Sequence, residues 1–281
     1  MISIKILNDT YNLKKRERNV YLERIIESQA INYLTFLKGM ITVSAYLKEI
    51  RTYPEDLIMP FWRQDWIPPL DAASLYYMVA LSRPKRVIEI GSGNSTKFIR
   101  RSLEDHNVNC HLISIDPYPR SEIDSICDEI YRVSLSEMDL SFVDTLDTGD
   151  VIFVDSSHRA VQNSDVTIIF NEIIPSLKPG VILGFHDIFL PDDYPNEWLG
   201  RLYNEQYMLA AFLLGGGAAN VKLIFCSHWL SHSNSSEVKF LLETLDQKVN
   251  CSTLDKLPIV AATQEEVNFW RGGCFWMSKR S

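Results

Sequence analysis

Two short runs collect side chains that hold or move protons: Asp155-Ser156-Ser157-His158 and His186-Asp187. An unperturbed imidazole titrates near ~6.5, so His158, three residues past Asp155, suits general-base work at neutral pH, with His186 and Asp187 as its orienting partners. The bland alternative for His158 is a loop histidine bonded to Asp155. Each run follows a short apolar segment, Val151–Val154 and Val181–Phe185, that reads as a strand. A third polar run, Gly91-Ser92-Gly93-Asn94-Ser95, follows the segment Arg86–Ile90, which carries Glu89, and Asp116 closes His111–Ile115. In an open parallel sheet, ligands lie beyond the carboxyl ends of the strands, where all of these residues fall.

The glycine turn, followed by a helix from near Ser95 and by Asp116 about 25 residues on, suits a nucleoside: backbone amides at the glycines and a carboxylate for the ribose hydroxyls. A nicotinamide dinucleotide asks for a third glycine where this chain has Thr96, and its phosphates would meet Glu89 unfavourably. S-adenosylmethionine has no pyrophosphate and brings cationic groups that an acid favours.

The elements that must position these groups follow from periodicity. Val20, Ile25, Ile26, Ile31, Leu34, Leu37 and Ile41 recur at three- and four-residue steps between Lys14 and about Glu49 and predict helices. A proline- and aromatic-rich connector, "RTYPEDLIMPFWRQDWIPPL", leads to a further helical run, "DAASLYYMVALS". Strands are expected at Arg86–Ile90, His111–Ile115, Val151–Val154, Val181–Phe185, Val221–Cys226 and near Cys274–Met277, alternating with helices as in a doubly wound, mainly parallel α/β sheet. The run from Gly215 to Asn220 reads as a helix end and tight turn. Trp62, Trp66, Tyr76 and Tyr77 are core or a lid, and under a lid Arg63 would meet an anionic group. Tyr203, Glu205 and Gln206 open a helix after the fifth strand and are candidates for the acceptor pocket, whereas Asp192 and Asp193 read as a solvated turn.

A formal charge of −8 over 281 residues excludes a general nucleic-acid binder. No run of about 18 apolar residues and no apolar signal segment occurs, which predicts a cytoplasmic protein without membrane partners. Five scattered cysteines, never spaced C-x-x-C, read as reduced thiols. The long apolar stripe of the N-terminal helices suggests a cover over the acceptor pocket or a homodimer contact.

"VIEIGSGNSTKFIRR", "LISIDPYPR", "DVIFVDSSHRA" and "LKPGVILGFHDIFLPDDYP", in this order, resemble the successive motifs of class I S-adenosylmethionine-dependent methyltransferases, over about Pro60 to Lys279. Within that class, "DSSH" and "FHDIFLPDDYP" look most like a bacterial subgroup that acts on small molecules. The resemblance implies a Rossmann-like seven-stranded sheet whose last strand is antiparallel, in residues 61–281, behind an N-terminal helical extension, residues 1–60. It implies Glu89, Gly91, Gly93, Asn94 and Asp116 around S-adenosylmethionine, with Ser92, Ser95 and Asp155 completing that shell and Ser134 to Glu137 near the adenine. Catechol-type O-methyltransferases, similar at the level of fold and motif, hold a divalent metal with an acid after the fourth strand and an acid–amide pair after the fifth. Asp155, His186 and Asp187 stand at comparable positions, but the histidine departs from that pattern and argues against magnesium. The expectation is methyl transfer to a small-molecule acceptor, through oxygen with a histidine base. Metal-assisted O-methylation and N- or carboxyl-methylation are the nearer alternatives; a nicotinamide oxidoreductase and a non-catalytic nucleoside binder are more distant ones.

Overall fold

The computed structural model describes residues 18–233 and 272–281; Cys251 and the first residues of the expected N-terminal helix, from Lys14, lie outside them. Seven strands form one sheet: β1 (Arg86–Ile90), β2 (His111–Ile115), β3 (Glu129–Tyr131), β4 (Val151–Val154), β5 (Ile182–Phe185), β6 (Val221–Cys226) and β7 (Phe275–Lys279). Their spatial order is β3-β2-β1-β4-β5-β7-β6. Strands β1 to β5 are mutually parallel, and β7 lies antiparallel between β5 and β6. Every residue of β4 and β5 is buried, as expected for central parallel strands covered on both faces.

Four of the expected strands have the expected ends. β5 starts one residue later, at Ile182, because Gly180 turns at a φ of 82° and its amide bonds to Lys279. β7 runs on to Lys279. No expected strand covered β3, whose three residues include Glu129 and Tyr131 and carry no apolar run.

Helix Pro69–Ser82 opens on a proline at its first turn, where no amide bond is lost, and stops at Arg83 in the left-handed region. It packs against helix Asn94–Asp105. After Glu205–Phe212 the helix widens through Leu213–Gly217, kinks at Gly216, whose φ is 104°, and makes one more turn, Ala218–Asn220, before β6, so the glycine run is a kink ahead of the helix end.

Most of the apolar stripe of the N-terminal helices finds its partner inside the chain, while Val20 and Ile31 stay exposed. Helix Ala30–Thr42 lies on β6: Asn32 Nδ2 donates to the Leu223 carbonyl (2.9 Å), and Phe36 meets Phe225 at 4.8 Å between ring centroids. Tyr33, Phe36, Leu37 and Met40 belong to the same core as the sheet, and no residue of 18–50 lines the cavity described below. Connector residues 51–68 are irregular, with Trp62 against Phe98 and Ile67 buried but Trp66 exposed. Among the described residues, no helix is long and apolar enough to cross a membrane.

Candidate active site

At the carboxyl end of β1 the chain turns sharply and enters helix Asn94–Asp105. Gly91 has a φ of 83°, and a Cβ there would stand 2.1 Å from the Asp155 carbonyl oxygen, so glycine is what lets the ends of β1 and β4 approach. Thr96 explains the absent third glycine. Its hydroxyl accepts from the Gly93 amide (3.0 Å) and donates to Glu89, which fixes the turn from below. Burial pushes the Glu89 carboxyl up to about 7 despite the neighbouring hydroxyls. Across the turn, the Ser92 amide donates to Asp116 Oδ2 and the Tyr118 amide to Asp116 Oδ1, each at 2.7 Å.

These elements open onto a cavity of about 500 Å³. Gly91 to Ser95 form its floor; Asp116, Ser134, Leu135 and Ser136 form one wall, and Asp155 to Ser157 another. Trp66 and Arg120 also line it, the guanidinium 4.4 Å from the indole centroid.

Behind Asp155 lies a buried cluster of carboxylates and imidazoles. His158 Nδ1 is 2.8 Å from Glu205 Oε2, and its Nε2 is 3.2 Å from Asp155 Oδ1 and 3.4 Å from Asp187 Oδ2. His186 Nδ1 is 3.2 Å from Asp155 Oδ1 and 3.5 Å from Asp187 Oδ1, while its Nε2 is 3.2 Å from Asp71 Oδ2. Asp71, from helix Pro69–Ser82, also accepts from the Gly273 and Cys274 amides and from Ser227, so it ties the ends of β6 and β7 to this cluster. His158 and Asp187 have left-handed backbones, with φ of 56° and 57°, conformations that non-glycine residues seldom adopt and that concentrate at functional sites. The His158 carbonyl accepts from the Asn204 and Glu205 amides, which holds the strained loop onto helix Glu205–Phe212.

Burial alone would lower both histidines, but the surrounding carboxylates outweigh it and hold each well above 6.5. Asp155 goes the other way: burial would raise it, and the two imidazoles hold it below the usual carboxylate range. Burial raises Asp187 and Glu205. Four carboxylates, Asp71, Asp155, Asp187 and Glu205, thus face two imidazoles in one largely buried cluster.

Several expected placements need correcting. His158, His186 and Asp187 do converge, yet none lines the cavity; Asp155 alone of the cluster does. Glu89 lies beneath the turn and touches Thr96, away from the cavity wall. Arg63 is exposed and donates to Tyr53 Oη, so it meets no anion in the cavity. Glu205 and Gln206 are fully buried: Glu205 holds His158, and Gln206 accepts from the Phe189 amide. Tyr203 packs on the His158 ring at 4.7 Å. The three donors that could close around one ion are Asp155, His158 and Asp187, with His186 grouped instead with Asp71 and Cys274. Asp192 is no solvated turn residue: Arg18 donates two bonds to it, and His228 Nε2 lies 3.0 Å from it. Asp71, Thr96 and Arg120 were missed. Thr96 had a signal, its place in the glycine motif; Asp71 had none, since its partners come together only in the fold.

The sheet order, with its antiparallel seventh strand, defines a Rossmann-like α/β fold. Residues 88–188 match a family model described as a methyltransferase domain. Residues 88–188, about a third of the chain, thus carry a methyltransferase domain. Among solved structures the chain is similar to an O-methyltransferase from Bacillus cereus in complex with SAH (16% identity, 67% of this chain and 82% of that one, TM-score 0.39). A structure of CmcI with Mg and SAM is similar at 16% identity, over 79% of this chain and 88% of that one, with a TM-score of 0.40. The O-methyltransferase TomG from Streptomyces achromogenes, in complex with SAM, has 16% identity over 65% and 87%, with a TM-score of 0.36. Likenesses of this size identify neither an acceptor nor a mechanism. No curated protein matches.

Proposed function

We propose that this chain transfers the methyl group of S-adenosylmethionine to an oxygen of a small-molecule acceptor. The observation that carries the reading is the cavity, whose floor is the glycine turn and whose walls offer Asp116 for the ribose, Ser134 to Ser136 for the adenine and Asp155 toward the reacting end. Transfer from a sulfonium needs in-line placement of the acceptor and removal of its proton. Glu205 on Nδ1 orients the His158 ring and turns Nε2 toward Asp155 and Asp187, so a neutral His158 would draw the acceptor's proton by way of Asp155, the cluster member that lines the cavity.

The surplus of carboxylate favours a second reading of the same residues. An imidazolium between acids has no lone pair with which to take a proton, whereas Asp155, His158 Nε2 and Asp187 are a donor set that fits a divalent cation, and Glu205 is the outer carboxylate that fixes a ligating histidine. A cation bound there would supply Lewis-acid activation of the acceptor hydroxyl. The imidazole favours manganese, iron, cobalt or zinc over magnesium. Calorimetric titration with S-adenosylhomocysteine and with NADH tests the cofactor, with binding of the first alone expected. A screen of hydroxylated metabolites with and without chelator then tests the chemistry: activity lost on chelation and restored by one ion supports the cation, and activity indifferent to chelators returns the proton to His158.

A further inference from the structure

Among the described residues that line the cavity, the only cations are Arg120 and Arg159. Arg159 is committed elsewhere: its Nε donates to the Arg201 carbonyl and its guanidinium lies over Tyr203. Arg120 belongs to the glycine turn. A Cβ built on Gly93 would lie 3.8 Å from the Arg120 Cβ, and the next residue, Ser121, donates to Asn94 Oδ1. Asn94 in turn donates to Gln64, whose Oε1 also accepts from the Trp66 amide. Trp66, Asn94 and Arg120 therefore form one small assembly at the glycine turn, where helix Asn94–Asp105 starts.

Resting on the methyltransferase reading, we propose that Arg120 is the residue that binds the amino-acid carboxylate of the cofactor. With the adenosine at Asp116 and Ser134 to Ser136, the methionine portion lies over Gly91 to Asn94 and carries an anion beneath Arg120. The guanidinium, stacked on Trp66, gains a fork-to-carboxylate pairing. The opening amides of helix Asn94–Asp105 add to the positive field there. Arg120 thus separates ligands that carry the amino-acid tail from those that end at the thioether.

The test is calorimetry of wild type and Arg120→Met with two probes, S-adenosylhomocysteine and 5′-methylthioadenosine, which share the thioadenosine and differ in the carboxylate-bearing tail. Charge-assisted bonds at a partly exposed site predict about a 10- to 100-fold loss for S-adenosylhomocysteine and less than about twofold for 5′-methylthioadenosine. Arg120→Lys should recover part of the loss, because a point charge replaces the fork. Equal losses for both probes would assign Arg120 to the adenosine or to the fold and overturn the proposal, as would an unchanged affinity for S-adenosylhomocysteine. Wild-type protein that binds neither probe would overturn the methyltransferase reading along with it; wild type that binds both probes equally well would overturn the Arg120 assignment alone.

Discussion

At Gly91 two costs coincide: a left-handed backbone and a carbonyl of Asp155 where a Cβ would go. Gly91→Ala is expected to destabilise the protein by about 2–5 kcal/mol, combining ~1–2 for the backbone with ~1–3 for overpacking. Thermal unfolding would measure it, and a melting temperature within a degree of wild type would refute the packing argument. The obstacle is protein backbone, not ligand, so the glycine's smallness serves the junction of β1 and β4 first and the cofactor second. Asp116 is the reverse case. Its two amide bonds hold the turn, and the residue also lines the cavity. Asp116→Ala should keep the fold, by circular dichroism, and weaken S-adenosylhomocysteine at least about tenfold, given ~1.5–3 kcal/mol for each charge-assisted bond to a ribose hydroxyl. Unaltered affinity would remove Asp116 from the site.

Among the elements, Asp192 fastens three pieces of chain: Arg18 ahead of helix Val20–Glu27, the segment after β5, and His228 in helix Ser227–Ser233. Burial would raise its carboxyl, but the bonds from His228 and Arg18 outweigh burial and hold it below the usual range. A depressed folded pKa contributes stability above the unfolded value, near ~3.9, and loses it as pH falls through the folded value. Urea titrations should find wild type more stable than Asp192→Asn at pH 6, with the gap closing below about pH 4; a gap that widens in acid would refute the tie. Sequence periodicity shows why the elements were legible and their ties were not. β1, β2, β4 and β6 are apolar runs bounded by polar residues or glycine, so their ends can be read directly, whereas β3 is a three-residue edge strand defined only by its pairing with β2. The strand-end residues announce a ligand site by position. That Glu205 serves His158 instead of an acceptor, or that Arg63 points to Tyr53, depends on how loops fold back, which no spacing encodes.

For the molecule as a whole, the N-terminal helices complete the sheet by covering β6, and Asp71 draws helix Pro69–Ser82, β6 and β7 onto the same buried cluster. Stability and site chemistry therefore share one charge balance, in which four acids exceed two imidazoles. If Asp155, His158 and Asp187 hold a divalent cation, the ion should stabilise the entire fold. At about 100 times its Kd, binding adds ~2.7 kcal/mol, and at ~2–4 °C per kcal/mol for a chain of this size the melting temperature should rise by about 5–10 °C. Manganese, cobalt and zinc should act at lower concentration than magnesium. His158→Ala and Asp187→Asn should abolish the rise, and Glu205→Gln should shift it to about 10- to 100-fold higher ion concentration through loss of the orienting carboxylate. Asp192, His228 and His232 form the competing donor group, but Arg18 already occupies both Asp192 oxygens, so Asp192→Asn should leave the rise intact. No rise with any ion, or a rise that survives His158→Ala, would exclude the cation and leave the proton of the acceptor to the His158–Glu205 pair.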